Sequence, residues 1–444
     1  MIERVLEQAR RRGVSAADVY WQRVERTTLA FEWGRLKSAG AVEEAGINLR
    51  VVHGARVGIA GSTAVDASPD ELVSRALQSA ELGETLALSF PARAPLPTLA
   101  TYFDRAANAS LDDLVAIGHE LVGRLAREGC QVNVSIERAV GDMRLVNSAG
   151  TDAGYRSTAV GVSADVWRVA GDDVLAIGDS FDGADLPEAA DVGALAQSIK
   201  DRLEPAFTIV APPEGALPVV FTPAGLSAVL LPITQALSGK AVLQGISPLG
   251  AKVGEQVFDR TFSVTDDALV SGRPRSRPMD DEGVPSRAVA LVEHGVVRAF
   301  IYDLETAARA GAGAVSTGHG HRGIFGKPST GFTNLIVGEG GNGKGEGYGK
   351  VGGGLVANIQ DGLLVDDLIG VGQGNVIGGA FSHPVALAYR IQNGEITGRV
   401  KDAAVAGNSY ELLKSIGDWG SDGKWLGSRY GPSVMLEGVS VARR

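Results

Sequence analysis

A single cysteine, Cys130, stands in the 444 residues, so no intrachain disulfide can form and a reducing cytoplasm is the expected setting. No run of about 18 apolar residues occurs, so no membrane-spanning helix is expected. The opening stretch MIERVLEQARRRGVSAADVYW has no long apolar core, so no signal peptide is expected either. Basic residues form no long run, and the formal net charge is −10. Phosphate binding needs a clustered positive surface, which argues against a nucleic-acid partner. Histidines are scarce too: of the six, only His319 and His321 lie close together.

What is present is ordinary globular material. Hydrophobic residues make up 44% and charged residues 21%, enough for a buried core without a disulfide or metal. The chain is long enough for two domains or one large composite fold. Its 60 glycines, many in the last third, imply many tight turns.

The pattern along the chain predicts an α+β fold in two parts. Ile2, Val5, Leu6 and Ala9 recur at helical spacing, with Gly13 as a stop. Residues 17–65 alternate as strands, with a turn at His53-Gly54. Ser68, Pro69 and Glu71 read as a capped helix start. A second helix runs from Ser110 to Gly129, more strands follow, and another helix spans about 186–203. Strands and helices in this order suit α+β rather than strict βαβ alternation. Four prolines crowd residues 204–218, so we expect an N-terminal α+β domain over 1–205, a linker over 206–218 and a β-rich C-terminal domain over 219–444. In the second part a strand leads into an apolar helix, and 255–310 reads as β-rich. The glycine-rich residues 337–354 read as a surface loop, and Asn393-Gly394 as a hairpin turn.

Few motifs carry chemistry. The glycine-rich stretch is not a phosphate loop, because Val351 follows Gly349-Lys350 and position 344 is lysine. Gly370, Gly372 and Gly374 do not make a dinucleotide fingerprint. His319 and His321, two apart, would share one face of a strand, a spacing that lets both face one metal. No cysteine is near, and two exposed histidines in a polar loop is the favoured reading. Cys130, placed at a helix C-terminal end, lacks the positive surroundings that lower a thiol pKa, and reads as a small buried residue. Asp280, Asp281 and Glu282 stand in a row before the turn residues Gly283, Pro285 and Ser286. Paired carboxylates suit acid–base or metal work, yet a solvated turn explains the run equally well.

At that run the sequence resembles the TldD/PmbA peptidase family. The stretch from Met279 to Gly320, with its Asp-Asp-Glu-Gly-Val-Pro-Ser start and Ser316-Thr317-Gly318 end, is similar to a family signature. FTNLIVGEG, IQDGLLVDDLIGVG, YRIQNGEITGRVKDAAVAGN and PSVMLEGVSV follow in family order, and GINLRVVHGARVGIAGST resembles an N-terminal strand pair. The resemblance covers nearly the whole chain. It implies a two-part fold and one of two subunit kinds. The TldD kind holds zinc with His-Glu-three residues-His on a helix and a later cysteine. The TldE/PmbA kind lacks these ligands and pairs with it.

The corresponding helix here is Leu226–Lys240, with Leu231, Pro232 and Ala236 near the ligand positions. From Gly215 to Gly254 there is no His, Asp, Glu or Cys. The family's Cys-Gly-Lys is matched at best by Asp422-Gly423-Lys424, and one aspartate cannot hold zinc where three protein ligands are needed. Pro232 suits a first turn, so this helix is expected to start later than in the catalytic kind. The resemblance therefore implies a chain without catalytic or metal-binding residues and without a cofactor of its own. Its expected partner is a zinc-bearing TldD-like subunit in a heterodimer acting on a peptide substrate, with a homodimer as the state without that partner. The residues expected to line the chamber or the partner interface are Asp280, Asp281, Glu282, Pro285, Ser286, Ser316, Thr317, His319, His321 and Arg322.

Overall fold

Alternation of apolar and polar residues builds the first sheet. A computed structural model describes residues 1–64, 67–311, 313–339 and 351–444. Helix α1 (Ile2–Arg11) leads into β1 (Ala16–Glu32), β2 (Arg35–His53) and β3 (Arg56–Ser62). Helices α2 (Pro69–Glu81), α3 (Asp104–Ala107) and α4 (Leu111–Leu125) follow. Strands β4 (Gln131–Asn147), β5 (Asp152–Ala170) and β6 (Asp173–Gly183) and helix α5 (Ala189–Ala206) complete this part. The strands form one antiparallel sheet in the order β3-β2-β1-β4-β5-β6.

Local signals place the helices. The Ser68 side chain accepts from the Glu71 N–H, and Pro69 opens α2 where a missing N–H costs nothing. A reciprocal capping box of Ser110 and Asp113 starts α4. That helix stops at Leu125, one turn before the expected end. Gly129, at φ 74°, turns the chain into β4 instead. Cys130 is thus half-buried beside a strand start, not at a helix end. Helices α1, α2, α4 and α5 pack on one face of the sheet, through Val19, Leu49 and Val51 at one end and Phe31, Ile136 and Val162 at the other. In β1 and β2 the opposite face carries Asp18 and Tyr20, directly across from Arg50 and Asn48. Alternation alone forces that division.

The segment 206–218 contains β7 (Ile209–Val210), and β8 (Gly215–Phe221) begins within it. Beyond lie α6 (Leu226–Ala236), α7 (Gly239–Leu243), β9 (Ser263–Asp267), β10 (Ala288–Glu293), β11 (Val296–Val297) and α8 (Leu304–Ala310). Residues 255–310, expected to be β-rich, are therefore mostly turns and loops. Then come β12 (Gly320–His321), β13 (Ser329–Thr330), β14 (Leu335–Gly338) and β15 (Asp361–Leu368). The last elements are β16 (Ala380–Gln392), β17 (Glu395–Val400), β18 (Ala403–Asn408), α9 (Ser409–Leu412), β19 (Ile416–Trp419), β20 (Lys424–Leu426), β21 (Arg429–Gly431) and β22 (Val434–Arg443). Asn393 and Gly394, both at positive φ, turn β16 into β17 as the sequence predicts. Most of the expected glycine-rich loop, residues 340–350, lies outside the described residues.

The pairings β15-β8-β22-β18-β16 close on themselves, because β16 also pairs with β15. A second mixed sheet runs β11-β10-β9-β14-β21-β20. Helix α6 is buried between these sheets, in a core that includes Phe221, Val229, Ile233, Phe262 and Val337. The helix runs from Leu226 to Ala236, and Pro232 lies inside it rather than in its first turn. Proline there leaves the Ala228 carbonyl without its helical donor. The Tyr410 hydroxyl lies 3.3 Å from the Pro232 carbonyl and 2.9 Å from that of Ile377, tying α9 to α6.

Candidate functional site

The acidic run forms a tight turn whose backbone is held by its own first side chain. Asp280 Oδ1 accepts from the N–H groups of Glu282 (3.0 Å) and Val284 (2.9 Å), while Oδ2 accepts from Gly320 (2.9 Å). Gly283, at φ 86°, closes the turn where any side chain would be strained. Met279 and Pro285 bridge antiparallel below it, and the Ser286 N–H donates to the Pro278 carbonyl at 3.0 Å. The solvated-turn reading is overturned: Asp280, Asp281, Glu282 and Ser286 are all buried. The Ser286 hydroxyl has no hydrogen-bond partner among the described residues.

The three carboxylates diverge. Asp281 accepts from the Arg322 N–H at 2.9 Å and pairs with Arg277 at 3.3 Å. Glu282 Oε1 pairs with Arg50 at 2.5 Å, and Oε2 accepts from the Leu304 N–H at 2.7 Å, at the start of α8. Arg50 also grips Asp18 through Nη2 (2.6 Å) and Nε (3.3 Å). Arg322 pairs with the same Asp18 at 3.0 Å and donates to Asn48 Oδ1 through Nε (3.1 Å) and Nη2 (2.6 Å). Asn48 in turn donates to the carbonyls of Gly323, Ile324 and Gly326. Both arginines and all their acidic partners are buried. The second loop is thereby fastened to the free face of the first sheet.

The histidines go different ways. His319 is buried, with Nδ1 2.8 Å from Thr317 Oγ1 and Nε2 3.0 Å from Asp266. Asp266 also accepts from the N–H and hydroxyl of Thr333. His321, on β12, points at the Gly331 carbonyl (3.2 Å) and at Arg277 (3.3 Å). Burial, then the nearby Arg277, pushes its pKa down to about 3, so the ring stays neutral. The expectation of two exposed histidines in a polar loop fails, because the loop is sandwiched against β9 and the acidic turn. Ser316 and Thr317 both donate to the Tyr302 carbonyl, closing the loop beside α8.

Charge balance explains the electrostatics. Four carboxylates (Asp18, Asp280, Asp281, Glu282) face three guanidiniums (Arg50, Arg277, Arg322) out of water. Burial first, then the Glu282 charge, pushes the Asp280 pKa up to about 7, against three backbone donors and Arg277 that favour the anion. Burial also raises Asp281 and Glu282 above the ordinary carboxylate range. For Arg50, burial works against the cation but is outweighed by Asp18 and Glu282, so its pKa rises. All the expected site residues thus gather around one place, and the structure adds Asp18, Asn48, Arg50, Asp266 and Arg277. Polar residues inside apolar strand runs (Asp18 in ADVYW, Asn48 and Arg50 in INLRVV) were the signal for three of these.

This cluster is filled and closed; chemically it can hold two parts of the molecule together. A hollow of about 540 Å³ opens beside Gly283, lined by Arg93–Leu96 and Thr151–Ala153. The residues that the sequence resemblance sets near zinc positions do not fit a metal. Leu231 is half-buried, Pro232 and Ala236 are buried, and none has a donor atom on its side chain. Asp422 is buried and accepts from Ser433 N (2.9 Å) and Oγ (2.7 Å). Lys424 reaches Asp179 at 2.7 Å. Among the described residues no group of three or more His, Cys, Asp or Glu could hold a metal ion. Nor is any helix among them long and apolar enough to cross a membrane.

Comparisons with known proteins bear on this arrangement. The family model of the PmbA/TldA metallopeptidase C-terminal domain matches residues 214–443, and that of the PmbA/TldA metallopeptidase domain 1 matches residues 17–80. A metalloprotease TldD homolog of Haemophilus influenzae is 30% identical over 213 residues, 47% of this chain and 42% of that protein. A metalloprotease PmbA homolog of the same organism is 25% identical over 229 residues, 51% of this chain and 46% of that protein. The chain spans about half the length of the curated relatives it matches. The crystal structure of TldE from Thermococcus kodakarensis superposes with a TM-score of 0.87 at 23% identity, covering 99% of each chain, and shows the same fold.

Proposed function

Because this chain belongs to the PmbA/TldD metallopeptidase family, we propose that it is the non-catalytic subunit of a heterodimeric zinc peptidase. Its partner would be a TldD-like subunit that carries the zinc, in the cytoplasm, and the pair would act on unfolded peptides or modified peptide precursors. One observation carries this reading. The buried helix α6 presents aliphatic, hydroxyl and amide side chains where zinc would need donors, and no acidic residue stands there to activate a water. A chain of this kind contributes shape rather than chemistry.

In this reading the Asp280–Ser286 turn and the Ser316–Arg322 loop shape the chamber wall or the pairing surface. Apart from the Ser286 hydroxyl, their polar side chains are spent on internal bonds, so they hold the outline of the wall and leave contact with peptide to neighbouring backbone and surface groups.

The test is co-expression with a zinc-bearing family member from the same genome. We expect the two chains to co-purify, with peptide turnover by the pair and none by this chain alone. Chelator-sensitive peptide cleavage by the isolated chain would overturn the proposal. Absence of co-purification, with peptide binding by the chain alone, would favour a stand-alone binding protein. Turnover of only one unusual precursor would point to recruitment for natural-product tailoring.

A further inference from the structure

Among the described residues six arginines are buried, and each meets a carboxylate: Arg50, Arg138, Arg202, Arg277, Arg322 and Arg399. A low-dielectric interior demands this of a side chain that cannot give up its charge. Arg429, half-buried on β21, breaks the pattern. β21 pairs with β14 so that Arg429 stands beside Leu335, and paired residues share a face of the sheet. Leu335 belongs to the core around α6, and a Cβ at Gly431, two residues on, would meet Leu226 at 3.3 Å. Arg429 therefore projects from an apolar face towards the start of α6. There its Nη2 donates to the Pro223 carbonyl at 2.5 Å.

A guanidinium carries five N–H donors, and that carbonyl is the one acceptor it meets among the described residues. Burial alone pushes the Arg429 pKa down to about 10, with no carboxylate close enough to oppose it, and the group stays charged at neutral pH. The acidic groups nearby are engaged elsewhere. Pro223 lines a hollow of about 60 Å³ together with Asp366 and Asp422. Asp366 is held by Arg202 and Thr222, and Asp422 by Ser433. No second cation is free beside it on the hairpin partner β20, where Lys424 is bound to Asp179. The start of α6 adds no donors either, because the N–H groups of Gly225, Leu226, Ser227 and Ala228 all have acceptors within the turn. What is left is a single positive charge with a planar fork, which suits a carboxylate better than a phosphate dianion.

We propose that the free side of the Arg429 guanidinium binds a carboxylate carried by a peptide, from its C-terminus or from an acidic side chain. The fork holds the two carboxylate oxygens side by side, and an ion pair closed over this apolar wall is little screened by salt. The inference rests on the proposed function for the source of the carboxylate, and deepens it by naming the peptide group that this chain recognises.

The experiment uses the full chain and three probes: N-acetyl-trialanine, its C-terminal amide, and the amide of N-acetyl-alanyl-glutamyl-alanine. Binding is followed by titration calorimetry at constant ionic strength. We expect a carboxylate-bearing probe to bind about tenfold more tightly than trialanine amide, and whichever does so identifies the source. Arg429→Met should erase that preference, and Arg429→Lys, which keeps the charge but not the fork, should retain part of it. The methionine variant strands no carboxylate. Without peptide its urea midpoint should hold or rise, whereas that of Arg50→Met falls. Equal binding of all three probes, or binding of none, overturns the proposal, as does a preference that survives Arg429→Met. A fall in midpoint as large as that of Arg50→Met also overturns it, because the guanidinium would then be paired within the chain. Co-purification with a zinc-bearing subunit is read independently of these results, so this proposal and the proposed function fail separately.

Discussion

The two halves of strand β2 are one continuous piece of backbone under opposite conditions. The inner half, Ile47 to Val52, is buried on both faces. On one face Ile47, Leu49 and Val51 pack under α1 and α2, and on the other Asn48 and Arg50 grip loops from some 230 to 280 residues later in the chain. The outer half, Arg35 to Glu44, has water on both faces and an open edge. The difference teaches that strand pairing with β1 suffices to form β2, whereas only the inner half joins the two parts of the molecule. Charge therefore has opposite meanings along one strand. At Arg50 it is buried with two carboxylates and cannot be removed alone. At Lys37 it is solvated and dispensable to the fold.

That contrast can be broken first at Arg50. Arg50→Met leaves Asp18 and Glu282 buried without their cation, and we expect a loss of about 3–5 kcal/mol, read as a fall in the urea midpoint. Arg50→Lys restores the charge but not the fork that spans two carboxylates, so its loss should be only partly smaller. Asn48→Ala comes next. It strips three carbonyls of their donor and Arg322 of an acceptor, and should cost about 1–3 kcal/mol by the same measurement.

A pH series sharpens the comparison through Asp280, whose folded pKa is raised to about 7. Between the ordinary carboxylate value near 4 and that value, the unfolded chain has lost a proton that the folded chain keeps. Stability from this group is therefore full below about pH 4 and declines as pH rises towards about 7. Urea unfolding at pH 5 and pH 8 should show a decline that Asp280→Asn lacks. If both proteins decline equally, Asp280 is not the group responsible. The smallest effect belongs to the outer half. Lys37→Ala should change stability by no more than about 0.5 kcal/mol. A larger loss would mean that the outer half is packed against something within the chain.

Much of this was legible beforehand. Ser68-Pro69 and Ser110 mark their helices because caps act within four residues, and Asn393-Gly394 marks its hairpin because both residues readily take the positive φ that a type I′ turn demands. The stretch 255–310 misled because its alternating valines and alanines have strand propensity but little ladder to join. Only three short strands form there, while the rest wraps the acidic turn. The acidic run itself was visible, and its burial was not. A run of carboxylates is solvated or sequestered according to whether cations arrive from elsewhere, and here they come from β2, from Arg277 and from the loop that ends at Arg322.

The sequence by itself determined the chemistry that is missing at α6, because no arrangement of leucine, proline and alanine supplies electron pairs to a metal. It also marked where α2 and α4 begin and where the Asn393-Gly394 hairpin turns, because those signals depend on neighbours a few residues apart. Only the tertiary structure decided that Asp18, Asn48, Arg50, Glu282 and Arg322 form one closed network, and that half of β2 is left with an unpaired edge. Both depend on which distant segments reach the sheet, and local propensity holds no information about that distance.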